Sequence, residues 1–239
     1  MCVAAFAVLW AGGVATHWLG DDAARAGQGG IASLFLFLAG LIVLLGTRSR
    51  SSALALGAIA LVGFAVEAAG VHSGVPFGGY EYTGELRPQL LGVPLVMGLA
   101  WMSLVAQARE VCARLRLPFP AEVVAVALWL TAVDLVIDPL AANVLNYWSW
   151  QRAGNYYGIP ATNFAGWFAT GLVAYALFGR RLRPNFWARV VGFAIVLFFA
   201  LLALAHSLLP AALVGFTLCA AQLFLRRLST VDARRPAAD

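Results

Sequence analysis

Apolar residues run along this chain in blocks too long and too unbroken for an amphipathic surface helix or a half-buried strand. A helix needs about 20 mostly apolar residues to cross the ~30 Å hydrocarbon core of a bilayer. Eight segments approach that length, at about 2–19, 31–46, 53–70, 90–107, 121–140, 162–178, 186–205 and 208–225. The second is short, and the fourth carries Gly and Pro at its start. The last two are one apolar run divided by His206, Ser207 and Pro210. The pattern predicts an all-α, polytopic membrane helix bundle of about eight transmembrane helices, forming one integral membrane domain over residues 1–239.

The polar connections orient that bundle. Alternate connections hold Arg48 and Arg50; Arg109, Arg114 and Arg116; Arg180, Arg181, Arg183 and Arg189; and, in the tail, Arg226, Arg227, Arg234 and Arg235. The intervening ones hold Arg25, Arg87 and Arg152, so thirteen Arg face three in strict alternation. Basic residues concentrate on the cytoplasmic side of membrane proteins, which predicts cytoplasmic N- and C-termini and a multi-pass protein of the cell membrane. Both long aromatic-rich connections, 71–89 and 141–161, then fall on the outer side.

Composition agrees. Hydrophobic residues make up 62% and charged residues 11%, where soluble domains carry about 25% charged. The net charge of +5 is assigned to helix ends at the cytoplasmic face, so no nucleic-acid partner is expected. Cys2, Cys112 and Cys219 stand apart with no CxxC pairing and read as apolar filling. Val3–Leu19 lacks a basic leader and a small-residue cleavage site, and reads as a retained first span.

Ionisable residues inside apolar segments mark function by default, because they are costly in a membrane. Asp134 and Asp138 are four residues apart and share a helix face. Two carboxylates that close in a low dielectric do not both ionise easily, and a protonated carboxylic acid is what general-acid catalysis requires. The structural alternative is that Asp138, just before Pro139, anchors a loop. Glu67 ends four apolar helical turns, and Glu81 lies between Tyr80 and Tyr82 in a Gly- and Pro-rich connection. Both have a loop-anchoring or solvated alternative. His72 is a weaker candidate, and His17 and His206 show no ligand pattern. Tyr147, Trp148, Trp150, Tyr156, Tyr157 and Trp167 suit either an interfacial belt or a lining for a conjugated or cationic ligand. Asn143, Asn146, Asn155 and Asn163 accompany them, as in a hydrogen-bonded lid or a water-binding pocket.

Three scattered His cannot supply a di-iron centre. No GxGxxG, P-loop or GxSxG is present to hold a nucleotide or a serine nucleophile. The chemistry expected therefore runs on carboxylates, hydroxyls, amides and aromatics, with no metal and no cofactor.

The segments FGGYEYTGELRP, LGVPLVMGLAW, DLVIDPLA, YWSW and NYYGIPATNFAGW together resemble the carotenoid biosynthesis membrane-protein family that contains the carotenoid 1,2-hydratases of the CruF type. The resemblance covers about residues 60–170 closely and the flanking spans by hydropathy alone. It implies addition of water across the terminal double bond of an acyclic ψ-end, as in lycopene, γ-carotene or a bacterioruberin precursor. Such a reaction needs an acid to protonate C-2, a stabilised tertiary cation at C-1, a positioned water and a base. On that reading Asp138 or Asp134 protonates while the other tunes it, and Glu67 or Glu81 receives the proton from water. Trp148, Trp150, Tyr156, Tyr157 or Trp167 faces the cation, and Tyr80, Tyr82 and Asn163 complete the substrate site. The implied partners are the carotenoid, water, the lipid bilayer and other enzymes of the same pathway. Loop 141–161 is the candidate lid. Two other readings stay open: an isoprenoid cyclase or prenyltransferase using Asp134-x3-Asp138 on a magnesium diphosphate, and a carotenoid-binding protein or transporter.

Overall fold

The computed structural model describes residues 1–20 and 28–232, with side chains to residue 226; Arg25, Arg234, Arg235 and the Arg227 side chain fall outside the described residues. Every apolar segment contains a helix: α1 (Cys2–Leu19), α2 (Gly29–Leu45), α3 (Arg50–Ser73), α4 (Val96–Cys112), α5 (Phe119–Asn143), α6 (Ala161–Phe178), α7 (Phe186–Ala205) and α8 (Leu209–Asp232). Among the described residues, α1, α3, α5, α7 and the Leu209–Arg226 part of α8 are long and apolar enough to cross a membrane, and α2 is apolar but shorter.

The fourth segment departs most from expectation. Residues 89–94 form a tight hairpin, β2 (Gln89–Leu90) against β3 (Val93–Pro94), before α4 begins. Leu91 and Gly92 at its tip both have positive φ, 53° and 74°, the geometry of a two-residue hairpin turn, for which Gly is suited. At its other end α4 continues to Cys112, beyond the expected 107. Glu110 is buried there, accepting from the Arg109 guanidinium at 2.6 Å and the Asn185 backbone N–H at 3.0 Å. Nearly all of α4 is enclosed, packed against α2, α3, α5 and α7.

The connections divide between the two ends of the bundle. At one end, connections 74–95 and 144–160 join through an antiparallel pair, β1 (Tyr80–Tyr82) with β4 (Trp148–Trp150). The start of α2 reaches the same end, where Ser33 Oγ accepts from the Arg87 N–H at 3.0 Å. At the opposite end, Ser52 Oγ donates to Arg181 O at 2.8 Å, and Asn185 caps α7 while its amide donates to Val43 O. Arg48, Arg109, Arg114, Arg116, Arg180, Arg181 and Arg183 lie by these opposite-end turns, and Arg87 and Arg152 lie in the β1–β4 connections. The charge alternation in the sequence thus corresponds to an alternation of helix direction.

Candidate active site

Two helices supply the acids, and two strands supply what surrounds them. On α3, Gly63, Glu67 and Gly70 fall at i, i+4 and i+7, one face of the helix. A Cβ at Gly63 would stand 2.5 Å from Trp101 and one at Gly70 would stand 2.9 Å from Phe77 and 3.0 Å from Tyr80. The two glycines therefore let large rings close over Glu67. Trp101 Nε1 donates to Glu67 Oε1 at 2.8 Å; the Tyr80 and Tyr82 hydroxyls donate to Oε2 at 2.5 and 2.9 Å. Glu67 accepts in all three. Burial, and then the neighbouring Glu67, push both tyrosine hydroxyls above the ordinary phenol range. They stay protonated donors.

On α5, Asp134 and Asp138 share a face as the spacing predicts, and both point into protein. Asn163, near the start of α6, bridges them: Nδ2 donates to Asp134 Oδ2 at 2.6 Å and to Asp138 Oδ2 at 2.7 Å. Trp148 Nε1 donates to Asp138 Oδ1 at 2.7 Å. Glu67, Asp134, Asp138 and Asn163 are 4%, 1%, 1% and 2% exposed, so these contacts are made out of water. Pro139 sits inside α5 rather than ending it. A proline there leaves the carbonyl four residues earlier without its helical donor. The Tyr156 hydroxyl donates to that carbonyl, Leu135 O, at 2.9 Å. Loop 144–160 thus repairs the helix that carries the acids.

The β1–β4 register pairs Tyr80 with Trp150, Glu81 with Ser149 and Tyr82 with Trp148. Side chains alternate along a strand, so four aromatics turn inward while Glu81 and Ser149 turn to the exposed side. Glu81 is therefore not brought to the other acids. Glu67, Tyr80, Tyr82, Asp138, Trp148, Trp150, Asn163 and Trp167 line one chamber of about 280 Å³. Asp134 lies behind it, joined through Asn163. The Trp101 and Trp167 rings stack at 4.2 Å. Among the described residues, Asp134 Oδ1 and Trp150 Nε1 are buried without a close hydrogen bond. Trp150 Nε1 lies on the chamber wall, directed at the carboxyl of Asp138. Tyr156 and Tyr157 face one another at 4.8 Å, away from the chamber lining. His72 Nδ1 donates to Ala68 O at 3.0 Å within its own helix end. His17 and His206 meet at 3.0 Å elsewhere at this end of the bundle.

Sequence reading missed Trp101, Phe77 and Met97, which complete the enclosure. The available signal was a Trp inside an apolar helix, because a buried indole N–H needs an acceptor. Among the described residues, no group of three or more His, Cys, Asp or Glu is arranged to hold a metal ion.

A family model for carotenoid biosynthesis proteins matches residues 29–222. Bisanhydrobacterioruberin hydratase of Haloarcula japonica is 36% identical over 135 residues, covering 54% of this chain and 45% of that relative. The chain thus aligns with less than half the length of this relative. No solved structure matches. The apolar helices and the family together fit a multi-pass membrane protein. With its motifs distributed over the helices and loops that build the chamber, the chain belongs to the carotenoid biosynthesis protein family.

Proposed function

We propose that this protein is a carotenoid 1,2-hydratase that works as one integral membrane domain of eight spans, with cytoplasmic termini and the chamber toward the outer face. The observation that carries the reading is one enclosed, aromatic-walled chamber with two carboxyl systems on different helices, Asp138 and Glu67. The similarity to the Haloarcula bisanhydrobacterioruberin hydratase supports a carotenoid hydratase.

Asp138, on the chamber wall, gives its proton to C-2 of the terminal double bond. The electron pair of the alkene forms the new C–H bond, and a tertiary cation is left at C-1. The faces of Trp148, Trp150 and Trp167 stabilise that cation as they do other positive charges. Water, held between the Trp150 N–H and the tyrosine hydroxyls, forms the C–O bond. Its surplus proton passes to Glu67 through the Tyr80 and Tyr82 hydroxyls. Asn163 holds the carboxyl of Asp138 in place, tied to that of Asp134. After the alcohol forms, the proton on Glu67 returns to Asp138 through chamber water, so one water is added, both carboxyl groups regain their starting states, and nothing is oxidised or reduced.

The test is expression in a lycopene- or γ-carotene-producing host grown in ¹⁸O-water. The expected pigment is heavier by one water with its oxygen from solvent, and Asp138→Asn abolishes it. Oxygen drawn from O₂, or no new pigment with expressed protein and both substrates supplied, refutes the reading.

A further inference from the structure

The acid chamber is too small for a polyene, and a second cavity shares lining residues with it and a third with the second. The second, about 600 Å³, shares Met97, Trp148 and Trp167 with the chamber. It reaches inward between α2, α4, α5 and α7, past Ala39, Ala100 and Ile195. Ala39 is ten residues into α2, roughly 15 Å along its axis. No charged side chain lines this cavity. Its Ser103 hydroxyl is spent on Leu99 O at 2.8 Å within its own helix. Such a space offers a ligand dispersion and burial but nothing to satisfy an oxygen substituent, which would cost free energy there. The third cavity, about 530 Å³, shares Leu36, Tyr147 and Phe199 with the second. It lies against α1, which packs chiefly on α2 and α7 and buries little of itself.

We propose that the three cavities form one substrate path. The reacting end occupies the acid chamber. The hydrocarbon chain behind it lies in the apolar cavity, and the remainder leaves between α1 and α2 into the bilayer. Met97 and Leu36 are the movable partitions: Met is unbranched and adapts to irregular gaps, and Leu36 stands between second and third cavities. The path selects a long, linear chain that is unoxygenated for its first several isoprene units. It admits that chain sideways from lipid rather than from water. The identity of the reacting end rests on the hydratase reading; the path itself does not.

The test fills the second cavity from two sides, with Ala39→Phe on α2 and Ala100→Phe on α4, and uses two readouts. One is lycopene retained per protein after purification from a lycopene-producing host. The other is turnover of lycopene against a ten-carbon acyclic hydrocarbon bearing the same isopropylidene end. Wild type retains lycopene. Each Phe variant loses most of it, and its lycopene turnover falls about tenfold or more beyond any loss on the short substrate. Ala39→Val, a smaller filling, gives the same pattern in weaker form and serves where a Phe variant does not fold. Undiminished retention in the filled variants, equal losses on both substrates, or a wild type that retains no linear polyene overturns the path. Retention lost on filling with no turnover of either substrate by wild type keeps the path and refutes the hydratase.

Discussion

Glu67→Gln separates the two halves of the proposed reaction. Gln keeps the size of Glu but has one acceptor and one donor end. Trp101 N–H can only donate, so it keeps the amide oxygen at the 2.8 Å position. The amide nitrogen then faces Tyr80 and Tyr82, whose oxygens accept from it, and both hydroxyl protons lose Oε2. Tyr80 has a fallback in Glu67 O at 3.3 Å, and Tyr82 keeps only the Tyr80 hydroxyl as a side-chain partner. One charged hydrogen bond weakened and two donors moved to poorer acceptors cost about 1–3 kcal/mol. At about 2–4 °C per kcal/mol for a chain of this length, the melting temperature in detergent falls by several degrees. Alcohol formation falls about 10²–10⁴-fold, the usual worth of a positioned base. Asp138 is untouched, so the alkene is still protonated and, lacking water capture, the cation reverts to alkene by losing a hydrogen from C-2 or from a C-1 methyl group. In D₂O the recovered carotene therefore gains deuterium at the reacting end with Glu67→Gln and gains none with Asp138→Asn. Glu67→Asp, which keeps the charge, restores part of the alcohol yield. Wild-type alcohol formation by Glu67→Gln, or loss of deuterium exchange together with alcohol, refutes the division of labour.

Asn163→Leu removes both bridging hydrogen bonds and leaves two buried carboxyls without their common donor. Turnover drops at least about tenfold by product assay; a purely steric role predicts normal turnover for the isosteric Asn163→Asp, whereas loss of the donor and a third acid in the cluster predict a loss as large. Glu81→Gln changes alcohol yield by less than about twofold, because the strand alternation turns Glu81 out of the chamber; a loss as large as that of Glu67→Gln would show the β1–β4 register to be wrong. Gly63→Ala sets a methyl 2.5 Å from Trp101, which is 1% exposed. Overpacking of this kind costs about 1–3 kcal/mol, read as a lower melting temperature and lower turnover together.

The helices were legible because each is specified locally, by a run of apolar residues bounded by polar ones. The direction of each helix was legible because Arg positions alternate. The acids on α3 and α5 were legible for a third local reason: a carboxylate in an apolar run is conspicuous wherever the helix packs. The exception, residues 89–94, is instructive. Hydropathy counts Leu90, Leu91 and Val93 as membrane-like, but Pro88, Gly92 and Pro94 break the helix and leave a hairpin. Likewise the extension of α4 to Cys112 depends on Asn185, a residue 75 positions away from Glu110, and no local pattern announces it.

What surrounds the acids depends on register, and register is a relation between two loops. YEY and WSW each alternate aromatic, polar, aromatic. The tryptophans of WSW suit an interfacial belt as well as a ligand lining, and Glu81 in the middle of YEY suits a catalytic acid or base as well as a solvated loop charge. Pairing 80–82 against 148–150 turns the four aromatics to one face and Glu81 and Ser149 to the other, because a strand has only two faces. Shifting either strand by one residue would turn Glu81 or Ser149 into the chamber and carry out the phenols that serve Glu67 or the indole that serves Asp138. The acids are thus fixed by helices, and their hydrogen-bond donors by a three-residue ladder held at Thr83 N–H to Tyr147 O, 3.1 Å, and Gln151 N–H to Gly79 O, 2.9 Å. Loop 144–160 is consequently more than a cover. By supplying Trp148 to Asp138 and Tyr156 to the carbonyl freed by Pro139, it sets the geometry of the acid itself, so substitutions in this loop should alter proton transfer to the alkene and not merely access to it.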